Sequence, residues 1–237
     1  MRIKLANSLT DILSVCKIDR VLSSPSRDES TGVAKPPRSF DVKECRINDF
    51  DPIEREEIFA LFETNMKEEY VKNWGWNPTK ERNEHFHPMN RFICLYERPI
   101  ESVGKKDEGE ARTPSASTET VFQTGDTNKK RPIAGYAIFR FEWDDDEEPE
   151  YPVLYCYELQ VSEQAQGNGI GRWLMSTIVK ISEKLHMWKV LLTCFTSNTK
   201  ALQFYKNIGF DTDANSPLAM GDSSCQYEIL SDKPHLR

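Results

Sequence analysis

The sequence lacks any long hydrophobic run. No stretch of its 237 residues approaches the roughly 18 consecutive apolar residues that a membrane-spanning helix requires. Residues 1–12 also lack the apolar centre of a secretory signal peptide. We therefore expect a soluble protein of the cytoplasm and nucleus that has no membrane partner.

Paired cysteines are also missing. The six cysteines are scattered along the chain, and no two of them form a C-x-x-C pair. Four of them fall in strand-like runs, where cysteine packs as a small hydrophobic residue. This pattern is typical of free thiols in a reducing compartment and does not indicate a zinc or other metal site.

The chain has no excess of basic residues. Lysine and arginine number 31 against 38 acidic residues, which gives a net charge of −7. Proteins that bind nucleic acid directly usually present a basic face, so we expect no nucleic-acid partner. A basic peptide is a better match. Seven of the nine residues in 142–150 are acidic. Such a run is usually a solvated loop, and for 145–150 we expect only long-range attraction of a basic substrate.

What the chain does contain is a glycine-rich turn between an apolar strand and an amphipathic helix. Residues 151–161 have the composition of a buried strand. Gly167, Gly169 and Gly171 follow. The apolar positions that then recur at helical spacing are Ile170, Leu174, Ile178, Ile181 and Leu185. Glycines let the backbone approach a ligand closely, and the unpaired amides of a first helical turn carry partial positive charge. We therefore predict an anion site at this turn.

The glycine spacing excludes two common phosphate-binding motifs. A P-loop needs a Lys-Ser/Thr pair after its last glycine, and the dinucleotide fingerprint needs a glycine at position 172, but this chain has Arg172-Trp173 there. Residues 166–171 instead fit the pattern Q/R-x-x-G-x-G/A. This segment resembles the pyrophosphate loop of the GNAT superfamily of acetyl-CoA-dependent N-acetyltransferases. The resemblance implies that the pyrophosphate is held by Gly167, Asn168, Gly169, Ile170, Gly171 and Arg172.

The downstream segment resembles the second half of the same superfamily's pattern. Residues 188–195 read as a buried parallel strand, and a helix at 200–207 completes the pattern N-x-x-A-x-x-F-Y that begins at Asn198. The resemblance implies that Asn198 contacts the pantetheine or its phosphate and that Tyr205 lies near the thiol end. Upstream, residues 133–143 alternate as a strand that would pair antiparallel with the strand before the glycine turn.

Four short motifs resemble one family within this superfamily. They are N-M at 65–66 with Tyr70 four residues on, W-G-W at 74–76, L-Y-C-Y-E at 154–158 and Y-E-I-L at 227–230. Together they are similar to the N-alpha-acetyltransferase D (NatD) family, which acetylates the N-terminal serine of histone tails that begin Ser-Gly-Arg-Gly. The resemblance implies transfer of acetyl from acetyl-CoA to a protein N-terminal α-amino group, with the basic N-terminal peptide of histones as partner.

These elements predict an α/β protein with the GNAT acyl-CoA N-acyltransferase fold, a mixed central sheet flanked by helices. Residues 1–38 are interpreted as an N-terminal helix (5–22) packed on the domain and a mobile linker (23–39), and 39–237 as the N-acetyltransferase domain. Residues 98–131 have the composition of a disordered hairpin insertion. Further strands are expected at 40–47, 92–97 and 226–230, and further helices at 51–70 and 77–86. We expect a monomer.

Acetyl transfer requires a neutral amine, a polarised carbonyl and a route for the proton. An α-amino group has a pKa of about 7.7–8.0 against about 10.4 for lysine, so a single carboxylate is a sufficient base. Glu158 is the predicted base. Tyr155 and Tyr157 share one strand face and Glu158 points to the other, so a bulge near Glu158 is needed to bring them together. Tyr157 or a held water stays open as the alternative base.

The remaining predicted roles divide between cofactor and peptide. Leu159, Gln160 and Val161 would pair with the pantetheine as a pseudo-strand, and an amide there would polarise the thioester carbonyl. In the family, acidic residues at the end of the strand that corresponds to 133–143 hold the arginine and the backbone of the substrate. The residues predicted to bind the peptide are Tyr70, Trp74, Glu142, Trp143, Asp144, Tyr155, Tyr157, Thr193 and Tyr227.

Two other functions stay open at this level. A GNAT enzyme for a small amine or a lysine side chain would label polyamines or internal lysines, and the Y-C-Y-E and W-G-W motifs argue against it. A non-catalytic module that only binds acetyl-CoA would not need Glu158, which is present together with the glycines.

Overall fold

The computed structural model describes residues 2–27, 34–99, 131–144 and 151–232. In this part of the chain an eight-stranded mixed sheet has the order β1-β2-β3-β4-β5-β6-β8-β7. The strands are β1 Val21–Arg27, β2 Ala34–Arg46, β3 Arg91–Glu97, β4 Ile133–Trp143, β5 Pro152–Val161, β6 Val190–Phe195, β7 Asp211–Thr212 and β8 Tyr227–Ser231. The helices are α1 Arg2–Ser8, α2 Ile12–Val15, α3 Pro52–Asn73, α4 Pro78–His85, α5 Ile170–Lys184 and α6 Thr199–Asn207. The predicted α/β fold with a mixed sheet and flanking helices is confirmed.

The sheet is covered by helices on both faces. Successive residues of β3 alternate between two hydrophobic clusters: Ile93 and Leu95 belong to the one that contains α1, α2 and α5, and Phe92 and Cys94 to the one that contains α3. The apolar stripe of α5, which includes Leu174, is buried against the first face. Among the described residues no helix is long and apolar enough to cross a membrane.

Local sequence signals explain where the two helices of the second face begin. Asp51 caps α3 by accepting hydrogen bonds from the amides of Ile53 and Glu54, at 2.8 and 2.7 Å. Pro52 then occupies a first-turn position, where its missing N–H costs nothing. Asn77 caps α4 in the same manner. These capped starts fix how α3 and α4 approach the sheet.

The N-terminal segment differs from the prediction. The single helix expected over 5–22 is wrong, because the chain forms two short helices, α1 and α2, and enters β1 at Val21. Asp11 caps α2 by accepting from the Ser14 amide at 3.0 Å, and Lys17 with φ 53° turns the chain after α2. The expected packing on the domain is confirmed, since Leu13 and neighbouring apolar residues are buried in the core.

The linker expected over 23–39 is also wrong where the structure describes it. β1 pairs antiparallel with β2, with Leu22 opposite Phe40 and Ser23 opposite Ser39. Edge strands tolerate serine and proline, so the sequence gives little sign of them, and pairing with β2 decides the conformation. The two-residue strand β7 was not predicted. Residues 28–33 and nearly all of the predicted insertion (100–130) lie outside the described residues.

A buried ion pair joins the N-terminal helices to the sheet. Arg91 of β3 lies 2.6 Å from Glu44 of β2, and the two side chains are 1% and 7% exposed. Arg91 also donates to the carbonyls of Ala6 and Leu9 at 3.0 and 2.6 Å, while Glu44 accepts from the Ile12 amide at 2.6 Å. The pair thus provides hydrogen-bond partners for backbone carbonyls at the end of α1 and for a backbone amide at the start of α2.

Replacing Glu44 with glutamine is expected to destabilise the fold by about 3–5 kcal/mol, because it leaves the Arg91 charge buried and uncompensated. Urea unfolding followed by circular dichroism measures this. Glu56→Gln is the matched control, since its pair with Arg82 is exposed at the surface and is expected to contribute less than about 1 kcal/mol. Equal effects of the two substitutions would contradict the role of the buried pair.

Candidate active site

The site begins where two parallel strands separate. β5 pairs with β6 from Leu154 opposite Val190 to Cys156 opposite Leu192, and this pairing goes no further. Both strands nevertheless continue, β5 to Val161 and β6 to Phe195. On the side of β6, the backbone groups of β5 beyond Cys156 therefore face an opening, while the other edge of β5 stays paired with β4. A ligand can pair with the groups that face the opening.

A bulge at the same point settles the orientation of the predicted catalytic residues. Across β4, Ile138 pairs with Glu158 but Phe139 pairs with Cys156, so Tyr157 is the extra residue of β5. The predicted bulge is confirmed. It interrupts the alternation of β5, and as a result Tyr155, Tyr157 and Glu158 all line one cavity.

The cavity has a volume of about 520 Å³ and lies between α3, α4, α6 and the separated strands. The predicted site residues that it brings together are Tyr70, Trp74, Tyr155, Tyr157, Glu158, Leu159, Gln160, Thr193 and Asn198, with Tyr205 beside them. The predicted residues of the described chain that lie outside its lining are Glu142, Trp143, Asp144, Val161, the glycine loop with Arg172, and Tyr227.

Glu158 is held by a chain of side-chain hydrogen bonds. Gln160 donates through Nε2 to the Glu158 carboxylate at 2.7 Å, and Asn65 of α3 donates through Nδ2 to the Gln160 Oε1 at 2.9 Å. Burial raises the pKa of Glu158 to about 8, against the opposing effect of the Gln160 hydrogen bond. The side chain of Gln160, predicted as a cofactor contact, therefore orients Glu158. The role of Asn65 was not predicted.

Removing the Gln160 hydrogen bond is expected to raise the pKa of Glu158, because that bond favours the ionised form. A reaction that needs ionised Glu158 then requires a higher pH. The ascending part of the kcat profile in Gln160→Leu should lie at higher pH than in the wild type. Gln203→Leu makes the same change at an exposed position of α6 and should leave the profile in place. A loss of activity in Gln160→Leu that is uniform across pH would contradict this assignment.

Aromatic residues border the side of the cavity at which peptide binding is predicted. Trp74 contacts Phe195 and Tyr227 at ring-centroid distances of 4.5 and 5.8 Å, and Tyr70 contacts Trp74 at 5.9 Å. The Tyr155 hydroxyl is hydrogen-bonded to the Thr193 hydroxyl. Tyr227 does not line the cavity itself, but it packs on Trp74, which does. These contacts hold the side chains on this side of the cavity against one another.

The acids at the end of β4 already have partners within the chain. Glu142 accepts from the Tyr157 hydroxyl at 2.9 Å and lies 3.8 Å from Arg140, whose guanidinium is 4.2 Å from the centre of the Tyr157 ring. Asp144 accepts from the amide of Tyr151 at 2.8 Å, across the turn. Binding of a substrate arginine by Glu142 and Asp144 stays a prediction, and such an arginine would have to share Glu142 with Arg140. The run 145–150 lies outside the described residues.

The glycine loop has the geometry that the sequence predicted. Gly167 and Gly169 have φ of 75° and 76°, in the left-handed region, and α5 begins directly after Gly169. A Cβ at Gly171 would lie 3.3 Å from the ring of Phe204, so a glycine permits the close contact between α5 and α6. Arg172 is exposed on the first turn. The first-turn amides of α5 have no carbonyl partner within the helix, which suits an anion.

Two further residues of the cavity lining are the N-cap of α6 and a tyrosine within that helix. Asn198 caps α6 by accepting from the Ala201 amide at 3.1 Å and also lines the cavity. Tyr205 is buried in its wall, and burial raises the pKa of its hydroxyl well above the usual range, so it keeps its proton. Among the described residues, no group of three histidine, cysteine or acidic side chains could hold a metal ion.

Known proteins share this organisation. The sequence model described as the acetyltransferase (GNAT) family matches residues 66–210. N-alpha-acetyltransferase 40 of Saccharomyces cerevisiae is 34% identical over 77 residues, which are 30% of this chain and 27% of that protein, so the match spans about a quarter of the relative's length.

The solved structures are more distant in sequence. An acetyltransferase from Streptococcus agalactiae has a TM-score of 0.52 at 11% identity, with 82% of this chain and 98% of that chain covered. A chain of the NatC complex, solved with Gag peptide and CoA, has a TM-score of 0.44 at 13% identity and covers 81% of this chain and 98% of its own. With more than half of the sequence matched by the family model and the strand separation, bulge and glycine loop in place, the chain belongs to the GNAT acetyltransferase family.

Proposed function

We propose that this acetyltransferase transfers the acetyl group of acetyl-CoA to the N-terminal α-amino group of a protein, and that its substrate is a histone tail beginning Ser-Gly-Arg-Gly. The observation that carries the proposal is the position of Glu158, which the bulge in β5 brings into the cavity beside the separated strands. Burial raises the pKa of Glu158 to about 8. An α-ammonium group has a pKa of about 7.7–8.0, so proton transfer to Glu158 is nearly balanced. A lysine ammonium, at about 10.4, would lose its proton to this base much less readily.

The residues of the chain divide the work by position. Glu158 receives the proton of the amine within the cavity. The backbone of 159–161, which faces the strand opening, is placed to pair with the pantetheine, and an amide there would polarise the thioester carbonyl. The αL glycines and the first turn of α5 fit a pyrophosphate. Tyr205, which keeps its proton, would protonate the departing thiolate.

The walls of the cavity support a small first residue. Tyr70, Trp74, Tyr155 and Thr193 line the cavity, where the rings of Tyr70 and Trp74 contact each other and the Tyr155 hydroxyl is hydrogen-bonded to Thr193. A Ser-Gly start fits such a site better than a bulky residue. The short match to N-alpha-acetyltransferase 40 agrees with an α-amino substrate. As parts of the same proposal, the protein acts as a monomer in the cytoplasm and nucleus and binds no nucleic acid.

A pair of peptides tests this proposal. Ser-Gly-Arg-Gly-Lys with a free N-terminus is expected to gain one acetyl group on its α-amine when incubated with the enzyme and acetyl-CoA, and the same peptide with a blocked N-terminus is expected to gain none. Mass spectrometry with fragmentation locates the label. Spermidine serves as a small-amine control. Labelling of the lysine in the blocked peptide, or of spermidine at a comparable rate, would contradict the N-terminal assignment.

A further inference from the structure

The wall that α4 contributes to the cavity contains a carboxyl group with no role in the proposed chemistry. Glu81 is only 8% exposed and lines the same cavity as Glu158. Within the residues that the structure describes, no donor is hydrogen-bonded to its carboxylate and no cation is paired with it. Buried polar groups in folded proteins nearly always have a partner. The Glu81 carboxylate oxygens are not sealed inside the protein. They open to the cavity, where a ligand can contact them.

The surroundings of the two carboxyl groups contain little positive charge. The titratable or charged residues around them are Tyr70 from α3, Lys80, Glu84 and His85 from α4, Tyr136 from β4, Tyr155, Cys156 and Tyr157 from β5, Cys194 from β6 and Tyr205 from α6. Of these, Lys80 is the one cation, and it is exposed. Burial lowers the pKa of His85 to about 3, so its ring is neutral.

The two carboxyl groups also oppose each other's ionisation. Burial raises the pKa of Glu81, Glu84 adds to this effect and Lys80 works against it. The pKa of Glu158 is raised by burial and then by Glu81. Two carboxylates in one poorly solvated cavity are costly unless a cation enters between them. A bound cation therefore favours the ionised form of both groups.

We propose that Glu81 and Glu158 together bind the ammonium form of the substrate amine, with Glu81 as its counter-ion and Glu158 as the group that then accepts its proton. This inference rests on the proposed function. The ammonium gives one proton to Glu158, and the freed nitrogen lone pair forms the C–N bond to the thioester carbonyl carbon. The C–S bond breaks, Tyr205 gives its proton to the departing thiolate and regains one from the nitrogen, and Glu158 releases its proton to solvent. Glu81 keeps its charge throughout.

This arrangement predicts that Glu81 contributes to binding rather than to turnover. Glu81→Gln removes a charge-assisted contact with the ammonium, which corresponds to an increase of about ten- to a hundredfold in the peptide KM. It also removes a like charge beside Glu158, so the ascending part of the kcat profile should move to lower pH. A purely structural residue would produce no such shift. Glu68→Gln removes the same charge from an exposed position of α3 outside the cavity lining and should raise KM by less than about threefold.

A measurement on the wild-type protein keeps the inference testable if Glu81→Gln does not fold. A Ser-Gly-Arg-Gly-Lys peptide in which hydroxyl replaces the α-amine is neutral at that position and has nearly the same shape. Calorimetry in the presence of CoA should show the amine peptide binding at least about tenfold more tightly than the hydroxyl peptide. Equal affinity of the two peptides, or a Glu81→Gln enzyme with wild-type KM and pH profile, would overturn the inference. Absence of any α-amine acetylation by the wild type would instead overturn the proposed function.

Discussion

Replacing Glu158 with glutamine is expected to lower turnover by about 10²–10⁴-fold, a larger effect than any accompanying change in peptide affinity. Glutamine keeps the shape of the side chain but cannot accept the proton. The buried Glu158, with its pKa of about 8 and its Gln160 hydrogen bond, is the group in the cavity best placed for this step. Initial rates at saturating acetyl-CoA, together with calorimetry of peptide binding, separate the effect on turnover from the effect on affinity.

Tyr157→Phe is the control for this experiment. The pKa of Tyr157 is raised above its usual range, first by burial and then by Glu142, so at neutral pH its hydroxyl stays protonated and cannot serve as the base. Its removal should cost far less than the removal of the Glu158 carboxylate. If Glu158→Gln turned over normally near pH 7 while Tyr157→Phe did not, the base would be Tyr157 and the proton route proposed here would be wrong.

The second large effect is expected at the glycine loop. Gly169→Glu places a negative side chain at the start of α5, where the free amides of the first turn suit a pyrophosphate, and it should abolish detectable binding of acetyl-CoA. Because Gly169 has a φ of 76°, any side chain at this position is also strained. Calorimetry with acetyl-CoA measures affinity, and circular dichroism confirms that the protein is folded.

Gly169→Ala separates charge from strain. An added Cβ at this position meets nothing within 4 Å, so alanine introduces the backbone strain without a collision and without a charge. The alanine variant should retain measurable acetyl-CoA binding when the glutamate variant has none. Equal loss of acetyl-CoA affinity in both variants would show that the backbone conformation alone decides binding. Unchanged affinity in Gly169→Glu would show that the pyrophosphate does not bind at this loop.

Elements with strong local patterns were predicted well. The strand expected at 133–143 has those same bounds, and the strand after it differs by a single residue. The alternation of residues along this second strand also predicted that Tyr157 and Glu158 could line the same cavity only if the strand contained a bulge. The structure has that bulge. Prediction failed at the N-terminus, where Ser23 and Ser39 carry no strand signal. These serines are in strands because β1 forms backbone hydrogen bonds with the edge of β2.

The sequence by itself determined the glycine loop, the order of strands and helices between residues 40 and 207, and the family motifs. Each depends on neighbouring residues, whose spacing is visible in the chain. Only the tertiary structure decided that Arg140 lies beside Glu142, that Asn65 and Gln160 orient Glu158, and that Glu81 faces the same cavity. These relations join residues from different elements, and the pKa of a buried carboxyl group depends on the solvent and charges that packing leaves around it. Neither these contacts nor that pKa can be predicted from the residues that are adjacent in the sequence.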